Sequence, residues 1–554
     1  MTLKDLGKIH RLIPKLVEDL ETGKMGRRDF LRTSTLLGLS ATAAYGIVGR
    51  ITGEDMMPRA HAQEPVRGGI LRISMNVKEI TDPAIYDWSE KGNIARHIVE
   101  SLAQVGTDNI TRPFLAESWE ASDDLSSWTF HLRQGVKWSN GDDFTADDVL
   151  FNFERWLDPN VGSSNYGRFA LLRGPNDGDP AIENAVVKID DHTVQFNLRE
   201  PMLALPESMG DYPALIVHRR FVEEGGNLVD NPVGTGPFKL DRFAVGQEAV
   251  LSRREEPYWG GEVYLDGLHY IDHGDDPSAW IAALASGQVD VLYRLFVEQV
   301  PIVRNMPDLV LLETPTAQTG VARMKVTEPP FDNPLVRKAI QRCIDHEAIL
   351  QTAYQNAGVP GEDHHVAPVH PEYAELPKLV QDYDAARELL AEAGYADGLD
   401  ITIDCVAQPP WEPATCQVIA EMLRPAGINL AVNIMPGGTY WDRWTTAPFG
   451  FTSWTHRPLG VQVLDLAYRT GVPWNESSYS NPEFDALLDQ ASGIYDVDAR
   501  REVVKQLEEI LQGDAVIVQP FWRSEFTATG PGVRDFALHP ANEMHINKTW
   551  LDNG

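Results

Sequence analysis

Residues 399–434 read LDITIDCVAQPPWEPATCQVIAEMLRPAGINLAVNI, and this stretch decides the fold class. Apolar and polar residues alternate from Leu399 to Val406 and again from Leu430 to Ile434, and this period of two predicts two strands. Between them, Thr415 to Arg424 predicts a helix that ends at Pro425. Strand, helix and strand in this order make a β-α-β unit, so we expect an α/β layer in this half of the chain.

Segments on the N-terminal side of this unit extend the mixed pattern. Strands are predicted over 68–73 and 128–133, and Thr145 with Asp148 forms a capping-box pattern before an amphipathic helix. Asn333-Pro334 is typical of a helix start, and residues 384–393 predict a further helix that Gly394 ends. Gly234-Thr235-Gly236-Pro237 predicts a turn whose glycines allow backbone angles that are closed to other residues.

Length and composition limit the architecture and the class of partner. A chain of 554 residues is too long for one ordinary domain, and 43% hydrophobic with 23% charged residues is an ordinary globular composition. We find no internal repeat and no low-complexity linker, so we expect lobes that are joined by chain crossings. The formal net charge of -33 is spread along the chain and excludes a nucleic-acid binder, which needs a basic surface.

The three cysteines suggest no function. The spacing of Cys343, Cys405 and Cys416 matches no zinc pattern. Cys405 and Cys416 could pair in an oxidising compartment, but the odd count and the apolar surroundings favour free buried thiols.

The first 62 residues predict an export signal. Arg27 and Arg28 precede Phe30, Leu31 and a mildly apolar run to Val48, which is typical of a twin-arginine signal and too short for a membrane span. Residues 60–62, Ala-His-Ala, offer a signal-peptidase site, so we expect cleavage after Ala62 and a periplasmic mature chain. The twin-arginine export machinery is then an expected partner.

Several further segments together resemble family 5 of the extracytoplasmic solute-binding proteins, the peptide and nickel type that serves ABC importers. The resemblance covers nearly all of residues 66–530, and its order and spacing are specific where each segment alone is weak. The segments that carry it are PFLAESWE at 113–120, FHLRQGVKW at 130–138, FTADDV at 144–149, NPVGTGPF at 231–238, PYW at 257–259, PPFDN at 329–333, VRKAI at 336–340 and AARELLAEAGY at 385–395.

The resemblance implies a two-lobed periplasmic-binding-protein-like clamp of type II, of the large peptide-binder class with an extra subdomain. Lobe I would hold residues 66–315 together with the returning segment 521–554, and lobe II would hold 316–520. Hinges are expected near 314–325 and 519–525, and closure would bury a short peptide for delivery to a membrane permease. We expect a monomer with no cofactor, no metal and no enzymatic activity.

The resemblance also predicts where the ligand binds, and the sequence departs from the family there. Peptide-binding members have a tryptophan followed three residues later by an aspartate that pairs with the ligand's ammonium group. Here Trp454 is present, but Arg457 replaces the aspartate in the stretch Ser453-Trp454-Thr455-His456-Arg457. A guanidinium binds carboxylates or phosphates, so either the ligand is anionic there or another acid, such as Asp465 or Glu476, takes the cation. Internal pairing of Arg457 with a neighbouring acid is the third possibility.

Aromatic residues are dense around this stretch. Such rings make flat apolar walls for a small ligand, and about half of them should contact it. The expected ligand contacts are Ser453, Trp454, Thr455, His456, Arg457, Tyr440, Trp441, Trp474 and Trp411 in lobe II and Tyr86, Trp88 and Tyr166 in lobe I, while Trp444 and Tyr468 belong to the same dense segment.

Three other functions compete with peptide capture. Arg457 leaves open a non-peptide solute with an anionic group, such as an opine or a sugar derivative. A nickel-complex carrier has weak support from His364, His365 and His370 with nearby acids, because that Pro-bounded polar loop favours surface histidines. A hydrolase is disfavoured, since the chain contains no G-x-S-x-G, H-E-x-x-H or G-x-x-x-x-G-K motif.

Overall fold

The computed structural model describes residues 6, 10, 12–39, 41–52, 64–176 and 178–552, and their contacts divide the chain into two compact units. Unit 1 comprises Met1–Leu295, Ile302–Leu312 and Thr527–Gly554, and unit 2 comprises Phe296–Pro301 and Glu313–Phe526. The lobe boundaries expected at 315/316 and 520/521 differ from these by a few residues. Closure of two lobes on a ligand stays a prediction.

Unit 1 contains most of the strands. Its strands are β1 Ile70–Ser74, β2 Ala103–Val105, β3 Thr111–Pro113, β4 Ala116–Ala121, β5 Ser127–Leu132, β6 Val186–Asp190, β7 Thr193–Asn197, β8 Phe238–Ala244, β9 Glu248–Arg253, β10 Gly267–Ile271, β11 Val291–Leu292, β19 Val533–Arg534 and β20 Trp550–Leu551. Its helices are α1 Ile13–Glu21, α2 Arg27–Leu36, α3 Ala41–Thr52, α4 Ser89–Ala95, α5 Ala146–Trp156, α6 Asn165–Arg168, α7 Leu205–Ser208 and α8 Pro277–Ala285.

Two sheets organise unit 1. In the first, β1 lies parallel to β10 and to β11, and β10, β9 and β8 continue as antiparallel neighbours. The second has the antiparallel order β4-β5-β7-β6 and is covered by α5, where Phe153 packs on Phe196 with ring centroids 4.8 Å apart. The extra subdomain stays a prediction, because the contacts divide the chain into two units only.

The N-terminal helices pack on unit 1. Trp119 Nε1 donates a hydrogen bond of 2.6 Å to the Leu36 carbonyl, and Arg32 Nε donates one of 3.1 Å to the Asn109 carbonyl. The predicted apolar run is divided between α2 and α3, and none of the helices in the described part of the chain is long and apolar enough to span a membrane. The predicted cleavage motif at 60–62 lies outside the described residues.

Unit 2 contains the β-α-β unit and most of the remaining helices. Its own elements are α10 Pro334–Arg342, α11 His346–Tyr354, β13 Gly358–Pro360, α12 Tyr383–Glu392, β14 Leu399–Val406, α13 Trp411–Leu423, β15 Ile428–Met435, α14 Gly437–Trp441, β16 Phe449–Trp454, α15 Gly460–Ala467, α16 Pro482–Ser492, α17 Val497–Asp514 and β17 Ile517–Val518. The chain crosses between the units within α9 Val300–Arg304, β12 Val310–Met324 and β18 Phe521–Thr529.

The sheet of unit 2 confirms the predicted β-α-β unit. Strands β14 and β15 are parallel neighbours over their whole length, with Leu399 opposite Ile428, and α13 connects them. The sheet order is β15-β14-β16-β12-β18, with β16 antiparallel to β12. Helix α13 begins four residues earlier than predicted, at Trp411, because residues 411–414 continue the same helical turn.

Local signals predicted the helix ends well, and one turn glycine is required for a reason other than the predicted one. The Asn333 side chain accepts a hydrogen bond of 3.0 Å from Leu335 N, and Gly394 has a φ of 93° after α12. Thr145 and Asp148 form the predicted capping box at the start of α5, with Thr145 N donating to Asp148 Oδ2 at 2.9 Å. Gly234 does not have a positive φ; a Cβ there would lie 1.8 Å from the Ile98 carbonyl oxygen, so close backbone approach is what requires glycine.

Candidate functional site

The candidate site of unit 2 begins where strand β16 ends. Trp454 is the last residue of β16, and residues 455–459 lead into α15. Trp454 is 6% exposed, and its Nε1 donates a hydrogen bond of 3.0 Å to Glu476 Oε1. Its neighbour Ser453 points to the other face of the strand, because successive side chains in a strand alternate.

Arg457 lies in a loop that other buried residues hold in place. Its Nη1 donates to Thr455 Oγ1 at 3.0 Å and to the His456 carbonyl at 3.2 Å. His456 is 3% exposed, and its Nδ1 accepts a hydrogen bond of 3.0 Å from Ala317 N on β12. These contacts join Thr455, His456 and Arg457 in one loop after Trp454, with Thr455 on the exposed side, and their contact with a ligand stays a prediction.

The polar segment 362–372 holds this loop in place through hydrogen bonds to its backbone. His370 Nδ1 accepts from Ala367 N at 2.9 Å, so the proton is on Nε2, which donates to the Arg457 carbonyl at 3.0 Å. Glu372 Oε1 accepts from Val461 N at 3.2 Å, in the first turn of α15. The backbone on both sides of residues 458–460 is therefore fixed.

The expectation of surface histidines in this segment is wrong. His364, His365 and His370 are all less than 5% exposed, because each contacts a buried partner. His365 Nδ1 is hydrogen-bonded to the Tyr468 hydroxyl at 2.9 Å, and burial lowers the pKa of His365 to about 3. These histidines contact different parts of unit 2, and their ligand atoms do not form a metal-binding group within the described residues.

One group of possible metal ligands does occur in the described part of the chain, in unit 1. Ligand atoms of His539, Glu543 and His545 lie within 4.8 Å of one another. The Arg96 guanidinium lies 3.0 Å from Glu543, while Gln104 Nε2 donates to His545 Nδ1 at 2.6 Å. Arg96 places a positive charge beside Glu543, and the Nδ1 lone pair of His545 already accepts a hydrogen bond. We therefore interpret this group as an internal hydrogen-bond network that joins the C-terminal segment to the rest of unit 1.

The two acids that were considered as cation acceptors are both paired within the protein. Glu476 is 3% exposed and forms an ion pair of 2.9 Å with Arg323. Asp465 on α15 pairs with Arg469, which lies two residues beyond the end of that helix. Binding of a ligand's cation by either acid stays a prediction, and it would compete with these internal ion pairs.

Aromatic rings form a continuous row beside Trp454. The rings of Trp441 and Trp444 meet edge to face with centroids 5.9 Å apart, Trp444 and Trp474 are 6.5 Å apart, and Trp474 and Trp454 are 6.0 Å apart. Trp474 is 39% exposed, and Trp441 and Trp444 are half-buried. On the other side, Trp454 meets the ring of His365 at 5.5 Å.

Two other aromatic residues predicted as ligand contacts lie in the interior of unit 2. Tyr440 is fully buried, and its hydroxyl donates to the Phe451 carbonyl at 2.7 Å. Trp411 is 1% exposed and packs edge to face on Phe451 and Phe521. Both are packing residues in this structure, and contact with a ligand stays a prediction for them.

In unit 1 the structure places the three predicted residues in one neighbourhood. Tyr86 is 1% exposed, whereas Trp88 is 41% exposed and has the Lys78 ammonium 4.2 Å above its ring. The loop before Tyr166 is joined to the same segment, because Ser164 N donates to the Ala84 carbonyl at 2.8 Å. The Tyr166 ring lies under the Arg173 guanidinium, 3.4 Å away.

Sequence reasoning missed Arg323, His370 and Glu372 as supports of the site. Arg323 lies 153 positions before its partner Glu476, and no local pattern connects them. The available signal was a charged residue among the apolar residues at the end of β12, since a charge that is buried there requires a partner. For His370 and Glu372, the metal hypothesis found the residues and assigned them the wrong role.

The chain matches one family model and is similar to several known proteins. The family model described as bacterial extracellular solute-binding proteins, family 5 Middle, matches residues 111–461, more than half of the chain. Heme-binding protein A of Haemophilus influenzae is 29% identical over 77% of this chain and 82% of its own length. Di/tripeptide-binding protein 3 of Pseudomonas aeruginosa is 28% identical over 77% of this chain and 84% of its own. The periplasmic binding protein DppA of Helicobacter pylori, solved with the peptide STSA, superposes with a TM-score of 0.75 at 23% identity, over 88% of this chain and 99% of that one.

Proposed function

Because the chain belongs to family 5 of the bacterial extracellular solute-binding proteins, we propose that it is the substrate-binding subunit of an ABC importer and captures short peptides. The name of the Pseudomonas aeruginosa relative supports a di- or tripeptide as the ligand. The observation that carries the proposal is the row of tryptophans that ends at the Arg457 loop. The rings suit variable side chains, and the guanidinium suits a peptide carboxylate.

The role of Arg457 differs from that of the aspartate it replaces. Arg457 is 8% exposed, and the loop that carries it is fixed by His370 and Glu372. A fixed guanidinium binds a carboxylate through two parallel hydrogen bonds at little entropic cost. We therefore assign the C-terminal carboxylate of the peptide to Arg457, with Trp454, Thr455 and His456 around it. The Ser453 side chain points to the other face of β16 and bonds Glu412, so it is left out of this assignment. Trp441 and Trp474 would contact side chains, and Tyr86, Trp88 and Tyr166 would be the contacts from unit 1.

The same arginine supports a second candidate function. A non-peptide solute with an anionic group, such as an opine or a sugar derivative, would pair with Arg457 and would need no ammonium acceptor. The relative named as a heme-binding protein further indicates that similar chains serve ligands other than peptides. We rank peptides first because they offer a carboxylate and apolar side chains in one molecule.

Export to the periplasm is part of the proposal. Arg27 and Arg28 are exposed at the start of α2, as access by a twin-arginine export receptor requires. The membrane permease of the importer would then be the second partner. N-terminal sequencing of the protein from the periplasmic fraction should begin at Gln63, and replacement of Arg27 and Arg28 by lysine should keep the precursor in the cytoplasm.

Native mass spectrometry of the purified protein tests the ligand. Short peptides that are released on denaturation, and lost in Arg457→Ala, would support peptide capture. The matched control is Arg424→Ala, which removes an arginine from the surface of the same unit, paired only with Glu421 at 2.7 Å. A single non-peptide anion that depends on Arg457 would establish the second candidate, and a protein that binds no peptide in a thermal-shift library would refute the first.

A further inference from the structure

A buried ion pair lies directly behind the aromatic row. Arg323 on β12 is 1% exposed and Glu476 is 3% exposed, with 2.9 Å between Arg323 Nε and Glu476 Oε2. The carboxylate also accepts hydrogen bonds from Thr452 Oγ1 at 2.6 Å and from Trp454 Nε1 at 3.0 Å. A buried charge is costly unless its hydrogen bonds are made, and here each side of the carboxylate has a donor.

The two residues of this pair contact segments that carry three tryptophans. Glu476 Oε1 holds the Trp454 indole directly, and Glu476 N donates a hydrogen bond of 2.9 Å to the Trp474 carbonyl. Arg323 Nη2 donates to the Trp444 carbonyl, and Nη1 donates to the Ala447 carbonyl at 2.5 Å. The ion pair therefore fixes the Trp454 indole and the backbone of Trp444, and the Trp474 ring packs against both of those rings.

The neighbouring strand leaves room for the guanidinium. Gly450 pairs with Arg323 across β16 and β12, and a Cβ at Gly450 would lie 2.8 Å from Arg323 Nη2. The glycine lets the arginine cross the strand and reach the segment that carries Trp444. A fully satisfied buried network of this kind is rigid, because any displaced member leaves an unpaired polar group.

The rings that the network holds are partly exposed. Trp474 is 39% exposed, and Trp444 is half-buried between Trp441 and Trp474. Aromatic pairs prefer this edge-to-face geometry, and a ring that is already fixed loses little entropy when a ligand packs on it. The row is continuous with Trp454, so an apolar ligand group that packs there lies beside the Arg457 loop.

We propose that Arg323 and Glu476 are positioning residues that hold Trp444, Trp454 and Trp474 as one preformed wall. This wall makes the protein select solutes with an aromatic or bulky apolar group. The inference rests on the proposed function and narrows it to peptides that carry such a side chain. Replacing the aromatic side chain of the ligand by a methyl group should weaken its binding to the protein roughly tenfold to a hundredfold, because burial of an aromatic ring usually contributes that much.

Calorimetry with the dipeptides Ala-Phe and Ala-Ala on the full chain tests this inference. The double variant Arg323→Met with Glu476→Leu replaces the pair by apolar groups of similar size, an exchange that buried ion pairs often tolerate. We expect the preference for Ala-Phe to fall at least fivefold, with a change in the near-ultraviolet circular dichroism of the indoles. The matched control is Asp384→Asn with Arg387→Gln, which removes an exposed ion pair from α12 and should change neither readout.

Trp474→Ala gives a second test that leaves the buried pair intact. It should also reduce the preference, because it removes the most exposed ring of the wall. An unchanged preference in Trp474→Ala would overturn the inference, as would equal affinity of the wild-type protein for the two dipeptides. In the latter case peptide capture stands. Failure to bind any peptide would instead refute the proposed function, and this inference with it.

Discussion

Glu412 should make the stability of unit 2 fall as the pH rises. The side chain lies in the first turn of α13 and is 1% exposed. The Ser453 hydroxyl hydrogen-bonds the carboxyl group, and Oε2 has no partner. Burial raises the pKa of Glu412 from 4.5 to about 8, and the weaker opposing effects of Ser453 and the Arg523 charge do not offset it.

The sign and size of the effect follow from proton binding. The unfolded chain releases this proton at its ordinary pKa, whereas the folded chain keeps it until about pH 8. The stabilisation is complete below the unfolded pKa and is lost between these two values, at about 1.4 kcal/mol per pH unit. Compared with a protein whose residue 412 cannot ionise, the wild type loses about 3 kcal/mol of unfolding free energy at pH 7 and about 5 kcal/mol above pH 8.

Glu412→Gln isolates this contribution, because the amide resembles the protonated carboxyl group and cannot ionise. Urea unfolding of both proteins at about pH 5 and about pH 8 should show the variant gaining about 4 kcal/mol relative to the wild type as the pH rises. The matched control is Glu421→Gln on the same helix, whose exposed side chain pairs with Arg424 and should contribute less than about 1 kcal/mol at either pH. A difference between Glu412→Gln and the wild type that does not change with pH would refute this reasoning. Infrared spectra should also show a protonated carboxyl band at neutral pH that is absent from the variant.

Three further predictions follow from single contacts. Gly234→Ala should destabilise the protein by about 2 kcal/mol or more, because the new methyl group would lie 1.8 Å from the Ile98 carbonyl; a thermal midpoint equal to the wild type would contradict this. His370→Ala should weaken ligand binding at least tenfold, since it frees the Arg457 carbonyl and the loop with it, and calorimetry with the native ligand measures this. The three cysteines are buried and free, so a thiol reagent should label none in the native protein and all three after unfolding; one label after unfolding would indicate a Cys405–Cys416 disulfide.

Much of the fold was predictable because its signals are local. Alternation over residues 399–406 and 428–435 reflects one face packed in the sheet, and Asn333 and Gly394 mark helix ends through their own backbone contacts. The start of α13 was missed because Trp411 and Glu412 follow two prolines, which are more typical of a turn. The turn at Gly234 was predicted correctly, but the reason given for the glycine was wrong. The Ile98 carbonyl, 136 positions earlier in the chain, leaves no room for a side chain there.

The candidate site was predictable only in part. Its motif and its aromatic residues are visible in the sequence, whereas the buried residues that hold them in place leave no local pattern. Trp454 and Arg457 were found through a short motif, and the aromatic density around them was visible as composition. Whether a ring lies in the core or faces the solvent depends on the residues that pack behind it. Tyr440 and Trp474 look alike in the sequence, but Tyr440 is buried and Trp474 is exposed. A resemblance predicts the position of a site but does not tell which of the nearby rings are buried in the core.

The supporting residues explain why a polar segment was misread. In the segment 362–372, polar side chains look solvent-exposed when each is considered alone, since isolated charges avoid the interior. Here each has a specific buried partner: His370 binds the Arg457 carbonyl, Glu372 the start of α15, and His365 the Tyr468 hydroxyl. The aromatic wall is built on the same principle, with Arg323 and Glu476 buried behind it. In both cases a buried polar residue fixes a segment of the proposed ligand site. The cost of burying it then restricts the alternative arrangements of the loop, since any of them would leave a buried polar group unpaired.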